Sequence, residues 1–126
     1  MNERQGHPRG LQTFRDAWRG IVSVAKTEFN FRIHLMAMVL VIGFGWFLKV
    51  DAMEWIVLTL CVGFVLFAEV LNTALEYLAD TVHPEVDPGI RKAKDASAGA
   101  VLVAALAALV VGIIIFIPKL WILLTK

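Results

Sequence analysis

Glu69, Asn72, Glu76 and Asp80 recur three or four residues apart inside an otherwise apolar stretch. At about 100° per residue the four fall within an arc of about 80°, one stripe along about 16 Å of helix. Leu71, Leu75 and Leu78 occupy the rest of that surface. A carboxylate inside a bilayer costs about 2.5 kcal/mol or more unless it is partnered, so the stripe must face protein, water or a ligand. Ion pairs with Lys94, Arg91 or Arg32 that fix helix register are the structural alternative, but three acids and an amide exceed what register requires. The stripe therefore points to a site.

A second charged cluster, Arg91-Lys92-Ala93-Lys94-Asp95, opens the next apolar stretch, and Glu28 precedes the first one. Charge thus gathers at one level. The helix carrying the stripe ends there, so its dipole and its carboxylates favour a divalent cation. The next helix begins there, so its amino-terminal end and Lys94 favour an anion. Metal-bound polyphosphate satisfies both. Magnesium takes one or two carboxylates plus phosphate oxygens, a demand that Glu28 and Glu76 meet. Glu69, the deepest acid, could then accept a proton from a lipid hydroxyl. The common nucleotide signatures, G-x-x-x-x-G-K-[ST], G-x-G-x-x-G at a helix start, H-R-D and D-F-G, are missing.

The elements that must hold these groups follow from composition. The chain has 126 residues, 59% of them hydrophobic and 18% charged, and a mean hydropathy of +0.73. So short and so apolar a chain needs lipid or sister subunits around it. A net charge of +1 excludes a dominant basic face for nucleic acid. Cys61 alone forms no internal disulfide, and three scattered histidines have no zinc-ligand spacing. Residues 1–32 are polar and basic and show no signal-peptide pattern, so the mature chain is expected to be the whole chain.

The apolar runs predict an all-α membrane domain over 1–126 with spans at 33–50, 53–80 and 93–118 and a turn-rich loop over 81–92. Trp18, Trp46, Trp55 and Trp121 read as interface anchors, and His34 and His83 as interface or loop histidines. Within 1–32, Phe14, Ala17, Trp18, Ile21, Val22 and Ala25 recur at helical spacing and predict an amphipathic surface helix. Lys and Arg concentrate before the first span and between the second and third, which places the amino terminus and the second loop in the cytoplasm. Ala96, Ala100, Ala104, Ala108 and Gly112 form a row of small residues for close helix packing.

Glu69-x-x-Asn72-Thr73-Ala74-x-Glu76-x-x-x-Asp80, followed by Lys94-Asp95-x-x-Ala98-Gly99-Ala100-Val101, resembles the signature of the prokaryotic diacylglycerol kinase and undecaprenol kinase family. The resemblance covers most of the chain in the same order and at the same loop lengths. It implies a homotrimer of three-span subunits in the bacterial inner membrane, with ATP and Mg2+ used at a cytoplasmic-edge site shared between neighbours. It further implies that Glu69 is the catalytic base and that Glu28 and Glu76 are the metal ligands. Asn72, Lys94 and Asp95 would serve the nucleotide and the geometry, and Arg9 and Glu85 would contact the nucleotide. Asp16 stands where some members have an aromatic nucleotide contact. The segments Glu28-Phe29-Asn30-Phe31-Arg32-Ile33-His34 and Ala98-Gly99-Ala100-Val101-Leu102 resemble the undecaprenol kinase branch more than the diacylglycerol kinase branch. A lipid kinase acting on undecaprenol, or on diacylglycerol, is the expected function. The rival from another class is a small oligomeric proton-coupled transporter using Glu69, disfavoured because the outer halves of the spans carry almost no polar groups.

Overall fold

The computed structural model describes residues 9–85 and 87–125. Every regular element among them is a helix: α1 (Arg9–Thr27), α2 (Phe29–Phe47), α3 (Ala52–Val82) and α4 (Pro88–Leu124). The last three are long and apolar enough to cross a membrane. Their outer surfaces carry Leu40, Leu60, Phe64, Phe67, Leu102 and Leu109 exposed, the pattern of helices whose solvent is hydrocarbon. In α1, Val24 is buried against the rest of the chain while Phe14 and Trp18 stand uncovered on the apolar face, as expected of a helix lying on lipid.

The connection between α2 and α3 is short because the backbone reverses immediately. Lys49 N–H donates to Trp46 O at 3.3 Å and Val50 N–H to Gly45 O at 3.1 Å, with Lys49 in the left-handed region at φ 52°. This crossed pair closes a helix end, usually around glycine. Asp51 then caps α3 reciprocally: Glu54 N–H donates to its Oδ1 at 2.9 Å, and its own N–H donates to Glu54 Oε2 at 2.8 Å. Lys119 Nζ lies 2.9 Å from the same Glu54 oxygen and ties the start of α3 to the far end of α4. Behind this corner Val50, Leu58 and Ile115 are buried with Val41, Trp55, Val111 and Phe116 around them.

At the opposite end the connection is tighter than the expected 81–92, because α3 runs to Val82 and α4 begins at Pro88. Asp87 caps α4 by accepting Gly89 N–H at 2.7 Å and Ile90 N–H at 3.0 Å. Pro88 occupies the first helical turn, where a missing N–H costs nothing and a fixed φ helps. The helix also passes through Pro118 to Leu124, beyond the end expected at 118. The first helix of the membrane region starts earlier than 33, at Phe29, and stops at Phe47, ahead of the left-handed Lys49.

The candidate active site

The polar stripe of α3 runs from buried to open. Glu69 is 3% exposed and Thr73 1% exposed, Asn72 and Glu76 are half-buried, and Asp80 is exposed. Glu69, Asn72 and Asp80 each meet a group from another helix. Glu69 Oε1 lies 3.2 Å from His34 Nε2 on α2. Asn72 accepts from Ser97 Oγ of α4 at 2.6 Å and donates through Nδ2 to Glu76 Oε1 at 3.4 Å. Ser97 Oγ is also 2.8 Å from Lys94 O, so its single hydrogen serves one acceptor at a time. Lys94 Nζ donates to Asp80 Oδ1 at 2.8 Å.

Glu28 sits at the junction of α1 and α2, where its extended backbone caps α2. Tyr77 of α3 donates its hydroxyl to Glu28 Oε1 at 3.0 Å, and Thr27 Oγ1 donates to the same oxygen at 3.1 Å. Thr27 Oγ1 and the Tyr77 hydroxyl are themselves 2.7 Å apart. Glu28 and Glu76 both act electrostatically on Glu69, so one chain gathers three acids around one region.

Glu28 Oε2 and Glu76 Oε2 have no hydrogen-bond donor among the described residues. Two hard oxygen donors with open valences suit a magnesium ion that draws its remaining ligands from phosphate and water. Among the described residues no group of three or more His, Cys, Asp or Glu forms a cation cage.

Asp95 and Glu85 are exposed and make no hydrogen bond or ion pair among the described residues. The expectation placed on the Arg9 side chain lies outside the described residues. Asp87, beside Glu85, has its carboxyl held below the usual carboxylate range by the N–H groups of Ile90 and Gly89, with His83 nearby adding to the effect.

Sequence reasoning passed over Tyr77 and Ser97 and read His34 only as an interface or loop histidine. Tyr77 was within reach of helix arithmetic, since it lies about 80° from Glu69 on the stripe's own flank. His34 and Ser97 sit on other helices, and only tertiary packing reveals their partners. An apolar groove of about 450 Å³ opens between α2, α3 and α4, with His34 at one end and Phe44, Leu66, Ala108 and Phe116 along it.

Comparison with known proteins places the chain in a family. The family described as prokaryotic diacylglycerol kinase matches residues 15–116. The chain is 38% identical over 112 residues to the undecaprenol kinase of Bacillus subtilis (strain 168), covering 89% of this chain and 91% of that one. It is 42% identical over 120 residues to the diacylglycerol kinase of Synechocystis sp., covering 94% of this chain and 69% of that one. To the diacylglycerol kinase of Escherichia coli (strain K12) it is 29% identical over 109 residues, with coverage of 86% and 89%. With the match running from α1 almost to the end of α4, the chain belongs to the prokaryotic diacylglycerol kinase family.

Proposed function

We propose that this membrane protein transfers the γ-phosphoryl group of ATP to undecaprenol, at the cytoplasmic edge of the bacterial inner membrane. Membership of a family of lipid kinases supports the reaction class and ATP as co-substrate. The single observation that carries the assignment of roles is Glu69, a buried carboxylate at the deep end of a stripe that opens toward Asp80.

Glu69 takes the proton of the lipid hydroxyl as that oxygen bonds to the γ-phosphorus and the bond to the ADP oxygen breaks. Glu28 and Glu76 hold Mg2+, which when bound neutralises phosphate charge. Asn72, steadied by Ser97, keeps Glu76 in place. Lys94 exchanges Asp80 for phosphate oxygens, while Arg9, Glu85 and Asp95 complete the nucleotide contacts. The apolar groove beside His34 gives the hydrocarbon next to the hydroxyl a place off the water. The excess of Lys and Arg before α2 and between α3 and α4 supports a cytoplasmic amino terminus. The row Ala96, Ala100, Ala104, Ala108 and Gly112 supports packing into a homotrimer whose neighbours wall the sites.

The test is transfer of labelled phosphate from ATP to undecaprenol and to diacylglycerol by the purified protein in vesicles. Preference for undecaprenol is expected. Preference for diacylglycerol reassigns the lipid, and labelling of neither removes the kinase reading. Glu69→Gln is expected to insert and to bind nucleotide but to lose transfer by about a hundredfold or more, because the amide keeps the size and loses the base. Near-normal turnover would defeat the assignment.

A further inference from the structure

We propose that His34 is the positioning residue of Glu69, an inference that rests on reading Glu69 as the base. Its Nε2 lies 3.2 Å from Glu69 Oε1, and this is the polar contact that Glu69 makes among the described residues. Both side chains are withdrawn from solvent, with 22% of the histidine and 5% of the glutamate exposed. A carboxylate in such surroundings has little water to orient it, and a nitrogen donor at one oxygen fixes its plane with a bond stronger than the same bond in water.

Glu28 and Glu76 are the other charged groups that act on Glu69, both of like sign to its carboxylate. His34 occupies Oε1, leaving Oε2 to receive the alcohol proton. The imidazole also lines the end of the apolar groove between α2, α3 and α4. It therefore bridges the apolar space suited to a lipid chain and the oxygen that would take the lipid's proton. A histidine serving only as an interface anchor would need neither contact.

Two substitutions in the full-length protein separate the nitrogen from the ring. His34→Gln keeps an N–H donor at a similar reach and loses the ring; His34→Phe keeps the ring and loses the donor. Lipid phosphorylation by His34→Phe is expected to fall at least about tenfold in kcat, with the KM for magnesium ATP within about twofold of wild type. His34→Gln is expected to stay within about threefold of wild type. Phe turning over as fast as Gln, or a loss confined to KM, would overturn the inference. If His34→Phe does not assemble, His34→Leu takes its place as the donor-free variant: a kcat at least about tenfold below that of His34→Gln supports positioning by the donor, and an equal kcat refutes it. Glu69→Gln measured alongside separates the two readings. Its full activity removes the base assignment, whereas an inactive Glu69→Gln beside a fully active His34→Phe removes only the role of His34.

Discussion

Tyr77 stands where two tasks meet, since its hydroxyl donates to Glu28 while its helix carries Glu69 and Glu76. If Glu28 and Glu76 hold the metal, the phenol sets where the first ligand stands relative to the second. Tyr77→Phe is then expected to raise the magnesium concentration for half-maximal activity a few-fold, with little change in activity at saturating magnesium. Glu28→Gln and Glu76→Gln should raise it further, and the two effects should not add, because either loss breaks the same site. Magnesium titrations of the wild type, the three single variants and the Glu28→Gln/Glu76→Gln double variant check this, and an unchanged requirement in both glutamine variants assigns the metal elsewhere. Glu69, Asn72, Glu76 and Asp80 were legible in the sequence because helical periodicity places them together without any knowledge of neighbours. Thr27 and Tyr77 escaped notice because hydroxyls at a helix end rarely signal chemistry, and the contact that gives them meaning spans fifty residues of sequence, from 27 to 77.

At the scale of the element, helix ends carry the informative physics. The three apolar runs announced α2, α3 and α4, but their limits depended on caps that hydropathy does not report. Pro88 and Gly89 look like helix breakers until Asp87 is seen to cap them, which turns a break into a start. The Asp87 carboxyl is held below its ordinary range, so its stabilising effect is present above the unfolded carboxylate range and is lost as pH falls through the lowered folded value. Acidification is therefore expected to fray the first turn of α4, seen as faster amide exchange at Gly89 and Ile90. Asp87→Ala should produce fraying at neutral pH, and Asp87→Asn, which keeps a capping oxygen but not the charge, should fray less than Asp87→Ala. The opposite corner responds to conformation instead. Lys49 holds a left-handed backbone, so Lys49→Val is expected to cost about 1 to 2 kcal/mol, and Lys49→Gly should be neutral or stabilising. At Gly45 an added Cβ would meet the Trp55 ring at 2.5 Å, so Gly45→Ala is expected to destabilise by about 1 to 3 kcal/mol. Unfolding in mixed micelles measures all three corner variants.

For the whole molecule, the proposed site brings Glu28, Glu69 and Glu76 together in one chain and leaves Asp95 apart from them. Glu28 and Glu69 act on each other within it, whereas Asp95 is exposed one residue beyond Lys94, which faces Asp80. One helical residue turns the chain by about 100°, so Asp95 is directed away from its own stripe, and we propose that it serves the site of a sister subunit. Mixing inactive Glu69→Gln and Asp95→Asn subunits is then expected to restore part of the activity, while mixing Glu69→Gln with Glu28→Gln should restore none. Differential tags confirm that subunits have exchanged, and no recovery in confirmed Glu69→Gln and Asp95→Asn mixtures would refute shared sites. The corner formed by Gly45, Trp55, Asp51, Glu54 and Lys119 has a further consequence on this scale. It fastens the helices together at the end remote from the acidic stripe, as the pivot fastens a pair of tweezers. The acids of the stripe stand at the other end, so a lipid hydroxyl is expected to reach them from the leaflet on that side. In vesicles with a lipid alcohol confined to one leaflet, a kinase built this way is vectorial: it labels what reaches the face bearing its acids and leaves the opposite leaflet untouched until those lipids cross.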